Sequence, residues 1–128
     1  MRDETVEWID KAESDLRTAE REFRVIKLPN FDAVCFHSQQ CAEKYLKARM
    51  IERGLSISRT HDLEALLNLL LPAEPQLVTL RQAARHLSDM AVEVRYPGIS
   101  ADREDAKEAL HAAETIRAAV RIAFGVEI

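Results

Sequence analysis

The fold is decided by residues 31–48, which run FDAVCFHSQQCAEKYLKA. Apolar side chains recur in this stretch with steps of three and four residues, and Ser38 fills one of the steps. The positions of the stripe are Phe31, Val34, Ser38, Cys41, Tyr45 and Ala48. Such a period is typical of an amphipathic helix that turns one face to a core. We therefore predict a helix that starts near Asn30 and stops at Gly54.

Three further stretches repeat this helical period, at residues 9–26, 77–94 and 106–123. A shorter leucine-rich segment at residues 63–70 predicts one more helix. Steps that average about 3.5 residues favour helices packed near +20°, as in up-and-down bundles. The sequence thus predicts an all-α fold, an up-and-down bundle of four long helices plus one short helix. Its length fits one domain over residues 1–128.

Proline, glycine and small polar residues mark the predicted helix ends. Residues 28–30 end the first helix, residues 72–75 separate the third from the fourth, and residues 97–98 end the fourth. Thr60 is expected to cap the short helix, and Ser100 is expected to cap the last one. These linkers are short, so we expect sequential helices to be antiparallel neighbours.

Composition narrows the classes of function. Of the 128 residues, 47% are hydrophobic and 31% are charged, which is ordinary globular composition. The formal net charge is -4. A free-standing protein that binds nucleic acid by electrostatics is usually basic, so any such contact must come from a local patch or a subunit interface.

The cysteines and the apolar runs indicate a cytoplasmic protein that does not enter a membrane. Cys35 and Cys41 lie six residues apart in one predicted helix, roughly 9 Å apart by helical rise, which is too far for a disulfide without distortion. We expect both to be reduced core thiols. No apolar run approaches the roughly 20 residues that span a bilayer. The polar residues 1–7 do not resemble a signal peptide.

Polar side chains of the second helix are the first candidates for a binding site. Gln40 and Lys44 are neighbours at helical spacing, and Glu43 and Lys47 form an i,i+4 pair of opposite charge. The simplest interpretation is a solvated face with one ion pair. Two adjacent glutamines beside His37 and Lys44, however, bring many donors and acceptors close to the apolar stripe. That arrangement favours a binding role.

A second candidate lies between the fourth and fifth helices, at Arg95-Tyr96-Pro97-Gly98. As a structural element it is only a stop signal. As a functional element, Arg95 and the unpaired backbone N–H groups at the start of the next helix could hold a phosphate. The acidic first turn of that helix argues against an anion there.

Metal and cofactor signals are weak. His37 and Cys41 have the spacing of half a zinc site, but no CxxC or HxxxH pair supplies the other ligands, so we predict neither a metal nor a cofactor. Arg81 and His86 form an Arg-x4-His pair inside the fourth helix. Because they are five residues apart, their side chains point about 140° away from each other on an ideal helix. The chain carries no Gly-rich phosphate loop and no nucleophile elbow.

Three motifs together resemble the HEPN family. Residues 31–48 are similar to the signature second helix of HEPN domains, and residues 60–63, Thr-His-Asp-Leu, are similar to their short third helix. Residues 95–98 are similar to the motif after their fourth helix. The motifs keep the family's order and spacing over nearly the whole chain. The resemblance implies a bundle of four long helices and a short one, often a homodimer.

The resemblance also carries expectations about function. It implies association with a separate minimal nucleotidyltransferase, commonly as a toxin–antitoxin pair. Some branches are metal-independent ribonucleases with an Arg-x4–6-His motif after the fourth helix, where the matching arginine here is Arg95. The positions four to six residues on are occupied by Ser100, Ala101 and Asp102, so the histidine is missing. Arg81 and His86 have the Arg-x4-His spacing, but they lie within the fourth helix, whereas the family's motif follows that helix.

We therefore expect a nucleotide- or RNA-associated module that works with a minimal nucleotidyltransferase. The predicted ligand site combines Lys44 and Arg95 on phosphate, Tyr96 for stacking or hydrogen bonding, and Gln40 and His61 for orientation. One alternative is a metal-independent endoribonuclease toxin in which Arg95, or the pair in the fourth helix, is catalytic. The other is a dimerisation or adapter domain without a ligand.

Overall fold

The computed structural model describes residues 1–94 and 96–125, and within them the chain is helical throughout apart from its connections. The α-helices are α1 (Asp3–Phe23), α2 (Phe31–Glu52), α3 (Leu63–Leu70), α4 (Arg81–Glu93) and α5 (Arg103–Ala123). A 3₁₀ helix, Pro75–Leu80, leads directly into α4. The prediction of an all-α bundle with four long helices and one short helix is confirmed.

The second helix is the centre of the bundle, because it packs against each of the other four α-helices. More than half of its residues are buried, including fully buried Tyr45 and nearly fully buried Leu46 and Met50. Helix α3 adds four leucines with no exposed surface, at positions 63, 66, 67 and 70. Small residues on α5, among them Ala109 and Ala113, let that helix approach α2 closely.

Carboxylate and amide side chains, rather than hydroxyls, cap α2, α3 and α5. The side chain of Asn30 accepts from the backbone N–H of Ala33 at the start of α2. Asp62 caps α3 and Asp102 caps α5, so the predictions of Thr60 and Ser100 as caps are wrong. In both cases an aspartate two residues further along offers a charged acceptor to the same orphan N–H groups.

Helix α2 ends in a Schellman motif at Gly54. The N–H of Gly54 donates to the carbonyl of Ile51 at 2.9 Å, and the N–H of Leu55 donates to that of Met50 at 2.9 Å. Gly54 has a φ of +74°, which side chains with a Cβ rarely adopt. The predicted stop of this helix is therefore confirmed in both position and mechanism.

The two cysteines are free and buried, as expected from their spacing. Burial raises the pKa of Cys35 to about 12 and keeps the thiol neutral. Its sulfur lies 3.3 Å from the sulfur of Met90 on α4, which places it in the α2–α4 contact. Among the helices of the described residues, none combines the length and apolarity that a bilayer span needs.

The Schellman motif provides a direct test of the α2 terminus. Replacing Gly54 by alanine forces a Cβ into the left-handed region, so we expect a loss of about 1 kcal/mol in the free energy of unfolding. Gly54→Asn should lose less, because asparagine tolerates this conformation better. Urea unfolding of both variants measures the difference. Equal stability of the alanine variant and the wild type would contradict the assignment.

Candidate functional site

A network of polar side chains runs along α2 and out to the segment before α3; we call it the polar network. Its members are Gln39, Gln40, Glu43, Lys47 and His61. Lys47 Nζ donates to Glu43 Oε2 at 3.0 Å, and Gln39 Nε2 donates to Glu43 Oε1 at 3.1 Å. Gln39, Glu43 and Lys47 are only 4%, 4% and 5% exposed. The i,i+4 pair noted in the sequence is therefore a buried ion pair.

The network holds His61 in place from two sides. Its ring Nδ1 lies 3.0 Å from Glu43 Oε1, and its backbone carbonyl accepts from Gln39 Nε2 at 3.0 Å. Because a carboxylate only accepts, Nδ1 carries a proton in this contact. The side chain of His61 is nevertheless 69% exposed. A buried base thus orients an exposed imidazole and leaves Nε2 as the ring nitrogen available to a ligand.

Glu43 stays ionised in its buried position. Burial by itself would raise the pKa of Glu43, but hydrogen bonds from Lys47, Gln39 and His61 outweigh it and hold that pKa below its usual value. The ammonium of Lys47 also lies 5.8 Å from the ring centroid of Trp8 on α1. Through these contacts α1, α2 and the segment before α3 share one charged centre.

His61 lies on the edge of a cleft of about 280 Å³ between α2, α3 and α4; we call it the His61 cleft. Its lining consists of Gln39, His61, Asp62, Glu64, Arg85, Ser88, Asp89, Ala91 and Val92. Ser88 Oγ accepts from the N–H of Leu63 at 2.9 Å, which fixes α4 against the start of α3. The cleft therefore combines a small apolar wall with several hydrogen-bonding groups.

The charges of the His61 cleft are mostly negative. Asp62, Glu64 and Asp89 supply three carboxylates, whereas Arg85 is the arginine of the lining. Hydrogen bonds from Arg85 and then Arg81 lower the pKa of Glu64 to about 2, so this carboxylate is ionised at neutral pH. Carboxylates accept hydrogen bonds from amino and hydroxyl groups and repel phosphate. The cleft therefore favours the part of a ligand that carries hydrogen-bond donors, such as hydroxyl or amino groups.

The structure relates the five predicted ligand residues as follows. Gln40 joins the polar network, because its Nε2 donates to Gln39 Oε1 at 2.8 Å, and His61 lies at the exposed end of the same network. Lys44 is paired with Asp15 of α1, which also contacts His37 at 2.8 Å. Tyr96 is 60% exposed in the connection after α4. Arg95 lies outside the described residues.

The side chains of Arg81 and His86 on α4 point in different directions. Arg81 donates to Glu64 at 3.1 Å and to Asn68 at 2.9 Å, both on α3. His86 Nε2 lies 3.6 Å from a carboxylate oxygen of Glu108 on α5. The two side chains therefore engage different neighbouring helices, as their spacing of about 140° requires.

Sequence reasoning missed Gln39, Glu43 and the lining residues of α4. The signal for the first two was present, because Gln39, Glu43 and Lys47 are spaced by four residues and share one helix face. The sequence predicts a polar face of α2 at these positions, either solvated or part of a binding site, but not a buried ion pair. Only the packing of α1 and of the segment before α3 over this face buries it. Among the described residues, no group of three or more His, Cys, Asp or Glu side chains is placed to hold a metal ion.

A second polar cluster ties α5 to α1 and α2. Arg117 makes a bidentate pair with Glu13, with N–O distances of 2.8 and 2.9 Å, and the Tyr45 hydroxyl donates to Glu13 at 2.8 Å. The hydrogen bond from Arg117 is the main reason that the pKa of Glu13 lies below its usual value. Burial raises the pKa of Tyr45 to about 12. This cluster ties the three helices together, and Glu13 and Arg117 also line a cleft of about 520 Å³ between α1 and α5.

Comparisons with known proteins agree with the architecture. The family model described as HEPN domain matches residues 5–123. The crystal structure of TT1696 from Thermus thermophilus has a TM-score of 0.75 at 26% identity, covering 94% of this chain and 98% of that one. The structure of ST0689, described as an archaeal HEPN homologue, has a TM-score of 0.69 at 27% identity, covering 91% and 94%. Among curated proteins, none matches the chain.

Fold and site together define a helical-bundle protein with a polar cleft between its second, third and fourth helices. The chain belongs to the HEPN family, whose model spans residues 5–123. The family resemblance drawn from three motifs is therefore confirmed. Membership of the nucleotidyltransferase-associated branch stays a prediction.

Glu43→Gln tests the burial of the polar network. The change leaves the Lys47 ammonium buried without a carboxylate, so we expect a loss of about 3 kcal/mol in the free energy of unfolding. Adding Lys47→Met should recover most of it, because the uncompensated charge is gone. Glu64→Gln, which removes a partly exposed carboxylate with two arginine partners, serves as the control and should change stability much less. Equal losses for Glu43→Gln and Glu64→Gln would contradict the account.

The lowered pKa of Glu13 predicts that this residue contributes to stability in a pH-dependent way. Its pKa is lowered in the folded protein, so the group stabilises the fold above its unfolded pKa of about 4.3 and loses this effect as pH falls through the folded pKa. The stability gap between wild type and Glu13→Gln should therefore shrink between about pH 7 and about pH 3. Urea unfolding at both pH values measures it. A gap of constant size would show that the Arg117 contact does not perturb Glu13.

Proposed function

We propose that this HEPN protein binds the nucleoside part of a nucleotide or of RNA in the His61 cleft. The observation that supports the proposal is the polar network, which orients an exposed histidine from a buried carboxylate. Burying the charges of Glu43 and Lys47 costs desolvation free energy. Apolar residues of similar volume often stabilise a protein core equally well. Here the buried network fixes the orientation of an exposed imidazole beside a cleft, which is how a preorganised ligand-binding side chain is held.

The chemistry of the cleft fits a nucleoside better than a free phosphate. Asp62 and Asp89 can accept hydrogen bonds from ribose hydroxyls or from an exocyclic amine, and His61 offers a ring face for stacking and Nε2 for a hydrogen bond. Ala91 and Val92 supply an apolar wall for a base. Phosphate groups would then point out of the cleft, where Arg85 is 59% exposed.

The remaining predicted residues are assigned to the outer part of this proposed site. Gln40 supports Gln39, whose amide holds the backbone of His61. Arg95 and Tyr96 follow α4, whose residues Asp89 and Val92 line the cleft, so we propose them as contacts to the phosphates and the next base. Lys44, paired with Asp15, is proposed as a more distant backbone contact for RNA.

We further propose that the protein acts as a homodimer with a separate minimal nucleotidyltransferase, in a toxin–antitoxin-type pair. The support is the resemblance of residues 31–48, 60–63 and 95–98 to the motifs of HEPN domains, a family in which such an association is expected. The ribonuclease alternative draws no support from the divergent Arg81 and His86. An adapter domain without a ligand gives no reason for the desolvation cost of the buried Glu43–Lys47 pair.

Isothermal titration with adenosine, AMP, ATP and a short RNA tests the proposal. We expect binding by wild type, with adenosine retaining most of the affinity of AMP, and a loss of about tenfold or more in His61→Ala. His111→Ala, which removes an exposed histidine of α5, is the matched control and should bind as wild type. A flat response to all four ligands would reject the function. Binding of ATP without measurable binding of adenosine would reject the orientation in the cleft.

A further inference from the structure

The loop between α1 and α2, residues 24–30, exposes two aliphatic side chains almost completely. Ile26 is 94% exposed and Leu28 is 96% exposed, far above the other exposed apolar residues of the described chain. A single exposed leucine is ordinary, but two at the tip of one loop form a protruding apolar point. We call it the apolar tip.

The backbone holds this tip outward. Leu28 has a φ of +50°, in the left-handed region that leucine rarely adopts. Asn30 N–H donates to Glu22 Oε2 at 2.9 Å and Val25 N–H donates to the Glu22 carbonyl at 3.2 Å, so the loop is anchored on both sides. Strained residues persist where the surrounding structure enforces them, and they concentrate at contact and switch sites.

Three basic residues lie close in sequence to the apolar tip. Arg21, Arg24 and Lys27 are all exposed. A complementary surface therefore needs an apolar hollow with carboxylates on its rim. An anionic membrane is a poorer match, because a net charge of -4 opposes its approach.

The opposite end of α1 carries a surface of this kind. A cleft of about 250 Å³ is lined by Glu4, Glu7, Trp8 and Lys11; we call it the Trp8 cleft. Its rim bears two carboxylates and one ammonium around an indole ring. Its indole ring and its two carboxylates complement the aliphatic and basic side chains of the apolar tip.

We propose that the apolar tip of one molecule inserts into the Trp8 cleft of a second copy. Helix α1 has 21 residues and is about 30 Å long, so the tip and the cleft of one molecule lie at opposite ends and cannot meet. The contact joins two different surfaces of the same chain, so the extent of association depends on protein concentration. Two side chains bury far less than the roughly 1,000 Å² of a stable interface, and the association is accordingly weak. Ile26 and Leu28 of the tip lie outside the polar network and the His61 cleft, whereas Trp8 lies beside Lys47 of that network.

Trp8 is the single tryptophan, so its emission reports on the cleft directly. With rising protein concentration we expect a larger mass by sedimentation velocity and a shift of Trp8 emission to shorter wavelength. Ile26→Ser with Leu28→Ser should weaken this association at least about tenfold and remove the emission shift. Leu69→Ser with Val78→Ser, which removes two half-exposed aliphatic side chains elsewhere, is the control and should behave as wild type.

Charge exchange completes the test. Arg24→Glu with Lys27→Glu, and separately Glu4→Lys with Glu7→Lys, should each abolish the concentration-dependent shift. Mixing the two variants should restore it, because the reversed tip then meets the reversed rim. Absence of any emission shift in the wild type overturns the proposal. So does a rise in mass without a change in Trp8 emission, or a mixture that fails to recover association.

Discussion

The candidate site depends on one buried carboxylate, that of Glu43. It is 4% exposed, yet it remains ionised because Lys47, Gln39 and His61 all direct hydrogen bonds to it. Removing Lys47 would leave this carboxylate buried without its counter-charge, which is a costly defect in a protein core. The position of His61, the form of the cleft and the contact of Lys47 with Trp8 all follow from this one centre.

The fold could be predicted because its determinants are local or periodic. The stripe from Phe31 to Ala48 defines the inner face of α2, and Gly54 defines its end, since both act through helix geometry alone. The caps were misplaced by two residues at Thr60 and Ser100, because hydroxyl and carboxylate acceptors compete for the same N–H groups. Only coordinates show which acceptor reaches them.

The site could be predicted only in part, because helix periodicity identifies a face but not what covers it. The polar character of α2 pointed to Gln40, and the motif at residues 60–63 pointed to His61; the two residues share one network. The burial of Glu43 depends on α1 and on the segment before α3, and the pairing of Lys44 with Asp15 spans 29 residues. Contacts of this range have no signature in a single sequence.

The protonation pattern of the His61 ring shows whether buried Glu43 orients this imidazole for a ligand. Nitrogen-15 NMR of the imidazole reports which nitrogen carries the proton and whether it is contacted by a ligand. We expect the neutral ring of the free protein to carry its proton on Nδ1, the Nε2 signal to change on addition of adenosine, and the preference for Nδ1–H to be lost in Glu43→Gln. An Nε2–H form, or a ring unaffected by both adenosine and Glu43→Gln, would contradict it.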